Sequence, residues 1–243
     1  MQIRRYMMRN FLKSSELELY DQILDVLKVL QVANLYTEVK EARISEVIQA
    51  LLLDYPEHTF AWKKNCSIID CTNKKGCLLR IEYYYEKNKI IKMRQDIDKY
   101  IKDNIVPYVE SVSSGVQLDV VLAVYNYLSK VLVYSNSKGH SAYTLETLYQ
   151  REGVCRGISL SLIYVLRMFN IECFYIRGRT DVDETKKDAP THGWSMVKLD
   201  GKYYHLDLTW DLNARMFEYF LLNDSEIYLN HHRWDFERYP KAI

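Results

Sequence analysis

The dipeptide Asp200-Gly201, set between β-rich stretches at 194–199 and 202–210, constrains this chain more than any other short segment in it. Both residues accept the left-handed backbone that a two-residue hairpin turn needs. Such a turn makes Leu199 face Lys202, and every pairing further out follows: Trp194 faces Asp207, and His192 faces Thr209. Side chains alternate along a strand, so His192, Trp194, Asp207 and Thr209 share one face, and Asp207 and Asp211 are both diagonal neighbours of His192. Asp211 ranks lower because Pro190 falls opposite it, where the strand is expected to have ended. Asp207 stands out for a second reason. Aspartate is depleted in strands, and Leu206, Leu208 and Trp210 suggest burial of the opposite face.

Upstream, Gly153-Val154-Cys155-Arg156-Gly157 puts a thiol between two glycines at the start of a helix whose Ile158, Leu162, Val165 and Phe169 recur at helical spacing. A cysteine there meets the helix dipole and free backbone N–H groups, which favour a thiolate and can also hold an oxyanion. The alternative is a buried cysteine acting as a small hydrophobe, which is the reading for Cys173 on an apolar strand at 171–177. Among the six histidines His192 is the leading base. His205, on the face of Asp207, and His140 are runners-up, and His231-His232 reads as a solvated pair near the C-terminus. A short helix is expected at 144–150, a charged loop at 178–190 that is either a lid or a plain solvated connection, and a further strand at 215–221.

In the first half, Ser15 and Glu18 suggest a capping box for a helix running to about Ala33. Thr37 can cap a second helix with Ile44, Val47, Ile48, Leu51 and Leu52 on one face and Pro56 beyond its end. A β-hairpin is expected between 66–70 and 78–85, then a helix over 96–105 that stops before Pro107, and a stronger helix over 118–132. The resulting class is α+β, with a helical core packed on an antiparallel sheet. An N-terminal helical and β-hairpin region covers 1–112, and the catalytic core covers 113–243.

A chain of 243 residues, 48% hydrophobic, can bury a substantial core. Lys plus Arg number 33 against 32 Asp plus Glu, so no global field favours nucleic acid or acidic lipid, and neither is an expected partner. No apolar stretch approaches the roughly 20 residues of a membrane span. No apolar run follows the arginines of residues 1–10 to make a signal peptide, so a cytoplasmic location is expected, secretion being the alternative if a leader has been removed. Five cysteines, an odd number, suit a reducing compartment. Cys66 and Cys71 have no second ligand pair at zinc-site spacing in Cys77 and His58, so neither a metal nor another cofactor is expected.

A cysteine opening a helix, a histidine entering a strand and an aspartate at the next strand together resemble bacterial members of the transglutaminase-like superfamily. The motifs are Gly-x-Cys-x-Gly at 153–157, His-x-Trp at 192–194 and Asp-x-Thr-Trp-Asp at 207–211, within a match spanning roughly 118–222. The resemblance implies Cys155 as nucleophile, His192 as general base and acid, and Asp207 as the residue orienting the imidazole. It also favours Asp207 over Asp211. By the same similarity Tyr143 is a candidate to help hold the oxyanion, with a packed tyrosine as its alternative, and Trp194 is a candidate on the substrate side. Similar sequences often read Cys-x-Gly-Tyr-Ala and His-Ala-Trp-Asn. Here Ile158-Ser159 follows Gly157 and Gly193-Trp194-Ser195 follows His192, changes expected to touch the pocket wall. The implied chemistry is attack on a peptide or protein amide through a thioester, ending in hydrolysis. Transfer to an amine and a catalytically inactive binding module are the alternatives.

Overall fold

The computed structural model describes residues 8–63, 68–70, 76–181, 191–212, 214 and 216–243. Cys66, Cys71, the expected hairpin turn and most of the 178–190 loop lie outside them. The described residues form two compact units, one within 8–95 and one within 96–243.

In the first unit, α1 (Ser14–Val29) starts where Glu16 accepts from the Lys13 backbone N–H at 2.8 Å, so Glu16 supplies the cap expected from Ser15 and Glu18. Arg43, on α2 (Glu41–Asp54), donates to both Glu16 oxygens at 2.6 and 2.8 Å and holds that buried carboxyl down at about 2. Between the two helices, residues expected to end one and cap the other form β1 (Ala33–Thr37) instead. Leu30 turns left-handed (φ 54°) and stops α1 early, which frees this segment to pair with a sheet edge. After α3 (Pro56–Thr59) come β2 (Ile68–Asp70) and β3 (Cys77–Ile81), and the order β1-β3-β2 turns the expected hairpin into a three-stranded antiparallel sheet. Asp54 is buried and accepts from the backbone N–H of Met8 and Arg9 and from the Tyr20 hydroxyl. Cys77 is disulfide-bonded, which removes the unpaired cysteine count as an argument for a reducing compartment.

α4 (Lys87–Tyr100) contains the boundary between the units and leads into a π-helical turn, Ile101–Ile105, and α5 (Val106–Val112). Pro107 therefore does not end the helix. The Val106 N–H reaches back five residues to the Ile101 carbonyl, and the proline falls in the first turn of the next α segment, where its missing N–H costs little. α6 (Gln117–Val131) follows, then β4 (Val133–Tyr134), a 3-10 turn at Gly139–Tyr143, α7 (Glu146–Gln150) and β5 (Glu152–Gly153), which pairs parallel with β4. α8 (Cys155–Met168) is the buried helix of this unit and packs on β6 (Cys173–Thr180) and β7 (Thr191–Leu199).

The sheet continues through β8 (Lys202–Leu206), β9 (Phe220–Leu222) and, after α9 (Asp224–Leu229), β10 (His232–Trp234). Its order is β10-β6-β7-β8-β9, antiparallel throughout. The fold is thus α+β, with helices on an antiparallel sheet. Asp200 (φ 48°) and Gly201 (φ 82°) form the expected turn, and the register runs from Leu199↔Lys202 to Ser195↔Leu206. Two expectations change. β8 ends at Leu206, four residues before the expected limit, because Asp207 starts a turn in which its carboxylate accepts from the Thr209 N–H at 3.0 Å. The strand expected at 215–221 is confined to β9.

Among the described residues, no helix is long and apolar enough to cross a membrane. A side chain at Gly157 would meet Thr147 Oγ1 and the Ala142 carbonyl oxygen. A backbone carbonyl cannot rotate aside, so Gly157→Ala should destabilise by about 1–3 kcal/mol despite the better helix propensity of alanine. Urea denaturation should show a lowered midpoint. An unchanged midpoint would mean that the segment at 142 yields.

Candidate active site

Cys155 is the first residue of α8, half-buried and free. The glycines beside it serve a close approach: substituents at Gly153 and Gly157 would both run into Thr147 Oγ1 and the Ala142 carbonyl. That carbonyl accepts from the Val154 N–H at 3.0 Å and from the Thr147 hydroxyl at 3.2 Å, so the 3-10 turn is clamped to the residue preceding the thiol. The helical ladder begins at Ile158, whose N–H reaches Val154 O at 3.0 Å. The first-turn N–H groups, that of Cys155 among them, stand ahead of it.

One helical turn along, the Ser159 hydroxyl donates to the Gly193 carbonyl at 3.1 Å, and the Ser195 hydroxyl approaches the Ser159 carbonyl at 3.5 Å. Gly193 lacks a side chain where the Tyr175 hydroxyl occupies its space. Ser159, Gly193 and Ser195, expected to touch a pocket wall, form instead a buried latch between α8 and β7. The latch brings His192, next to Gly193, to the N-terminus of α8.

There the His192 ring has Cys155 as a near neighbour on one side, and on the other its Nε2 lies 2.5 Å from Asp207 Oδ2, which leaves Nδ1 as the nitrogen facing the thiol. Burial pulls the imidazole pKa down, but the hydrogen bond to Asp207 and the approach of Cys155, with their charges, outweigh it and raise it to about 9. Asp207 is wholly buried. Burial alone pushes its carboxyl up, and hydrogen bonds from His192 and His232 reverse that, so the group lies below its ordinary value.

His232 is the residue that sequence reasoning missed. It is not solvated: the ring is fully buried, with Nε2 2.9 Å from Asp207 Oδ2. The sequence held one signal, since His232-x-Trp234 repeats the spacing of His192-x-Trp194, but nothing local ties it to Asp207. His192, Asp207 and His232 converge closely enough to suggest metal ligands. Their separations of 2.5 and 2.9 Å, however, are those of hydrogen bonds, whereas donors about 2.0–2.1 Å from a tetrahedral zinc stand roughly 3.3 Å apart.

The other candidates separate clearly. Trp194 is fully buried, lies against His192 at 5.8 Å between ring centroids, and gives its indole N–H to His205 Nδ1 at 2.9 Å. It packs behind the imidazole, not on the substrate side. An indole only donates, so His205 accepts at Nδ1 and donates from Nε2 to Asp224 at 2.9 Å, which commits both its nitrogens. Asp211 accepts from the Tyr125 hydroxyl and from the Glu218 and Tyr219 N–H groups and does not reach the imidazole network through any of these bonds. His140 faces Glu146. Tyr143 is exposed at the end of the clamped turn, and Tyr134 lies close enough to feel both Tyr143 and Cys155. Tyr134 was not singled out from the sequence, where it is one of 21 tyrosines.

Residues 107–208 match the family model of the transglutaminase-like superfamily, a segment that contains Cys155, His192 and Asp207 and stops short of His232. The resemblance read from the motifs is thereby supported over that segment. No curated protein matches the chain. Solved structures similar to it include a candidate cysteine protease from Cytophaga hutchinsonii (20% identity, TM-score 0.33, covering 47% of this chain and 34% of that one). A protein described as a TGase has 12% identity and a TM-score of 0.41, with 77% and 53% covered. A candidate protease from Parabacteroides distasonis ATCC 8503 has 15% identity and a TM-score of 0.33, with 58% and 30% covered. The chain therefore spans between about a third and a half of the lengths of these proteins.

The raised imidazole has a consequence for stability. With a folded value of about 9 against an ordinary 6.5, His192 stabilises the fold fully below pH 6.5, and that contribution is lost as pH rises through 9. Chemical denaturation from pH 6 to 10 should show wild type losing stability across this window. Asp207→Asn, which removes a cause of the shift, should show a flatter profile. Parallel profiles would contradict the coupling.

Proposed function

We propose that this chain, transglutaminase-like over residues 107–208, is a cysteine-dependent acyl-transfer enzyme that hydrolyses peptide or protein amides. The observation that carries the reading is the half-buried Cys155 set beside the His192 ring, which is hydrogen-bonded in turn to the buried Asp207. His192, kept protonated at neutral pH by its raised pKa, already holds the proton from Cys155 on Nδ1 when the sulfur attacks the carbonyl carbon. First-turn N–H groups of α8 are aligned to receive the developing oxyanion, with the Tyr143 hydroxyl as a further donor. The C–N bond breaks as His192 returns the proton to the leaving amine. Water then adds to the thioester with His192 taking its proton, the acid leaves and the thiol is restored. Asp207 stays ionised throughout and fixes the ring so that Nδ1 faces sulfur. Hydrolysis is favoured over transfer because Tyr134 and Tyr143, near the thiol, are 58% and 42% exposed, a rim that leaves water a path to the thioester.

The test is intact mass and product analysis with a peptide library, with and without a primary amine, for wild type, Cys155→Ala and Asp207→Asn. Wild type should release acid, with an acyl adduct trapped on Cys155 alone. Cys155→Ala should lose turnover by on the order of 10⁴-fold or more. Amide conjugates as the dominant product would replace hydrolysis by transfer. Undiminished turnover in Cys155→Ala would remove the reading.

A further inference from the structure

His232 reaches the site from the edge strand of the sheet. α9 ends at Leu229 and is capped by Asn230, His231 takes a left-handed backbone (φ 65°), and β10 begins with His232 opposite Thr180 of β6. The His231 carbonyl accepts from the Asp181 N–H at 2.8 Å, which fastens this turn to the end of β6. The His232 ring then points inward and is fully buried, edge-on to Trp194 at 4.8 Å and Trp210 at 4.5 Å. Its Nδ1 is 2.9 Å from the Asn230 carbonyl oxygen and its Nε2 is 2.9 Å from Asp207 Oδ2. An ionised carboxylate only accepts, so it is Nε2 that donates to Asp207. Asp207 Oδ2 thus receives two imidazole N–H groups, one from the ring that faces the thiol and one from a ring with no path to substrate.

We propose that His232 is a positioning residue of this site, holding the buried Asp207 carboxylate in place behind His192 by donating to the same oxygen that His192 uses. The inference rests on the acyl-transfer reading and assigns a role outside the segment that matches the family. Its physical basis is that a buried carboxylate with one donor fewer takes up a proton more readily, and a protonated Asp207 no longer braces the ring that faces sulfur. The titratable groups facing His232 are Asp207 and, by ring contact or charge, His192, Tyr219 and His205. Asp207 is the one it hydrogen-bonds, so loss of that bond should appear on the acid side of the reactivity profile.

The experiment needs no substrate. Alkylation of Cys155 by iodoacetamide is followed by intact mass from pH 4 to 9 in wild type, Cys155→Ala, His232→Asn and His232→Gln. An asparagine amide reaches only the Nδ1 position and keeps the bond to Asn230, whereas a glutamine amide reaches the Nε2 position and keeps the bond to Asp207. His232→Asn should move the acid midpoint upward by about one unit, a roughly tenfold slower reaction on the acid side, and His232→Gln should restore it. The same acid midpoint in both variants overturns the proposal. A wild type whose Cys155 reacts no faster than a free small thiol removes the acyl-transfer reading and this inference with it, whereas fast wild type with matching variants removes only the role of His232. Should the variants not fold, ¹⁵N spectra of histidine-labelled wild type decide: a proton on His232 Nε2 supports the proposal, and an unprotonated Nε2 overturns it.

Discussion

A carboxylate sealed from water has to be surrounded by donors, and the second unit of this protein is organised around that requirement. Asp207 has no exposed surface and accepts from His192 and His232 on one oxygen and from the Thr209 N–H on the other. Removing one partner of a buried charge typically costs about 3–5 kcal/mol, a large share of what holds a domain together. Trp194 and Trp210 flank both imidazoles, so the same rings that exclude water from the carboxylate also set the planes of the rings that compensate it. Reactivity at the surface and stability at the centre draw on one network.

The thiol is placed by a different device. α8 is brought close to the 3-10 turn because two glycines leave room for a carbonyl and a threonine, and it is tied to β7 by the Ser159 and Ser195 hydroxyls. Cys155 and His192 therefore sit on two regular elements joined within one turn of the helix, not on loops. Such an arrangement restricts both groups before any substrate arrives, and pre-set geometry of this kind removes part of the entropy cost of reaction.

Much of this could be read from residue order because the interactions were local or set by a turn. The Asp200-Gly201 hairpin fixed the pairing as far as Ser195↔Leu206, close enough to bring Asp207 beside His192 even though the strand stops one residue earlier. The helix start at Cys155 was legible because Gly153 and Gly157 flank it ahead of an apolar stripe at helical spacing. His232 was not, since it arrives through the pairing of β10 with β6, and no local pattern encodes which distant strand takes an edge. The strand at Ala33–Thr37 failed for the same cause: its partner β3 lies far along the chain, and tertiary pairing overrode a plausible cap at Thr37. Pro107 misled in the opposite direction, because a π-turn absorbed a residue that usually ends a helix.

The edge position of β10 bears on how this protein can be divided. The segment recognisable by similarity closes at residue 208, directly after the carboxylate, whereas the histidine that completes the environment of that carboxylate lies 24 residues later. An excised domain trimmed to the recognisable borders would retain Cys155, His192 and Asp207 and still expose the flank of its own charge network. For this architecture, the smallest autonomous module is set by electrostatic closure, and the recognisable motifs alone understate it.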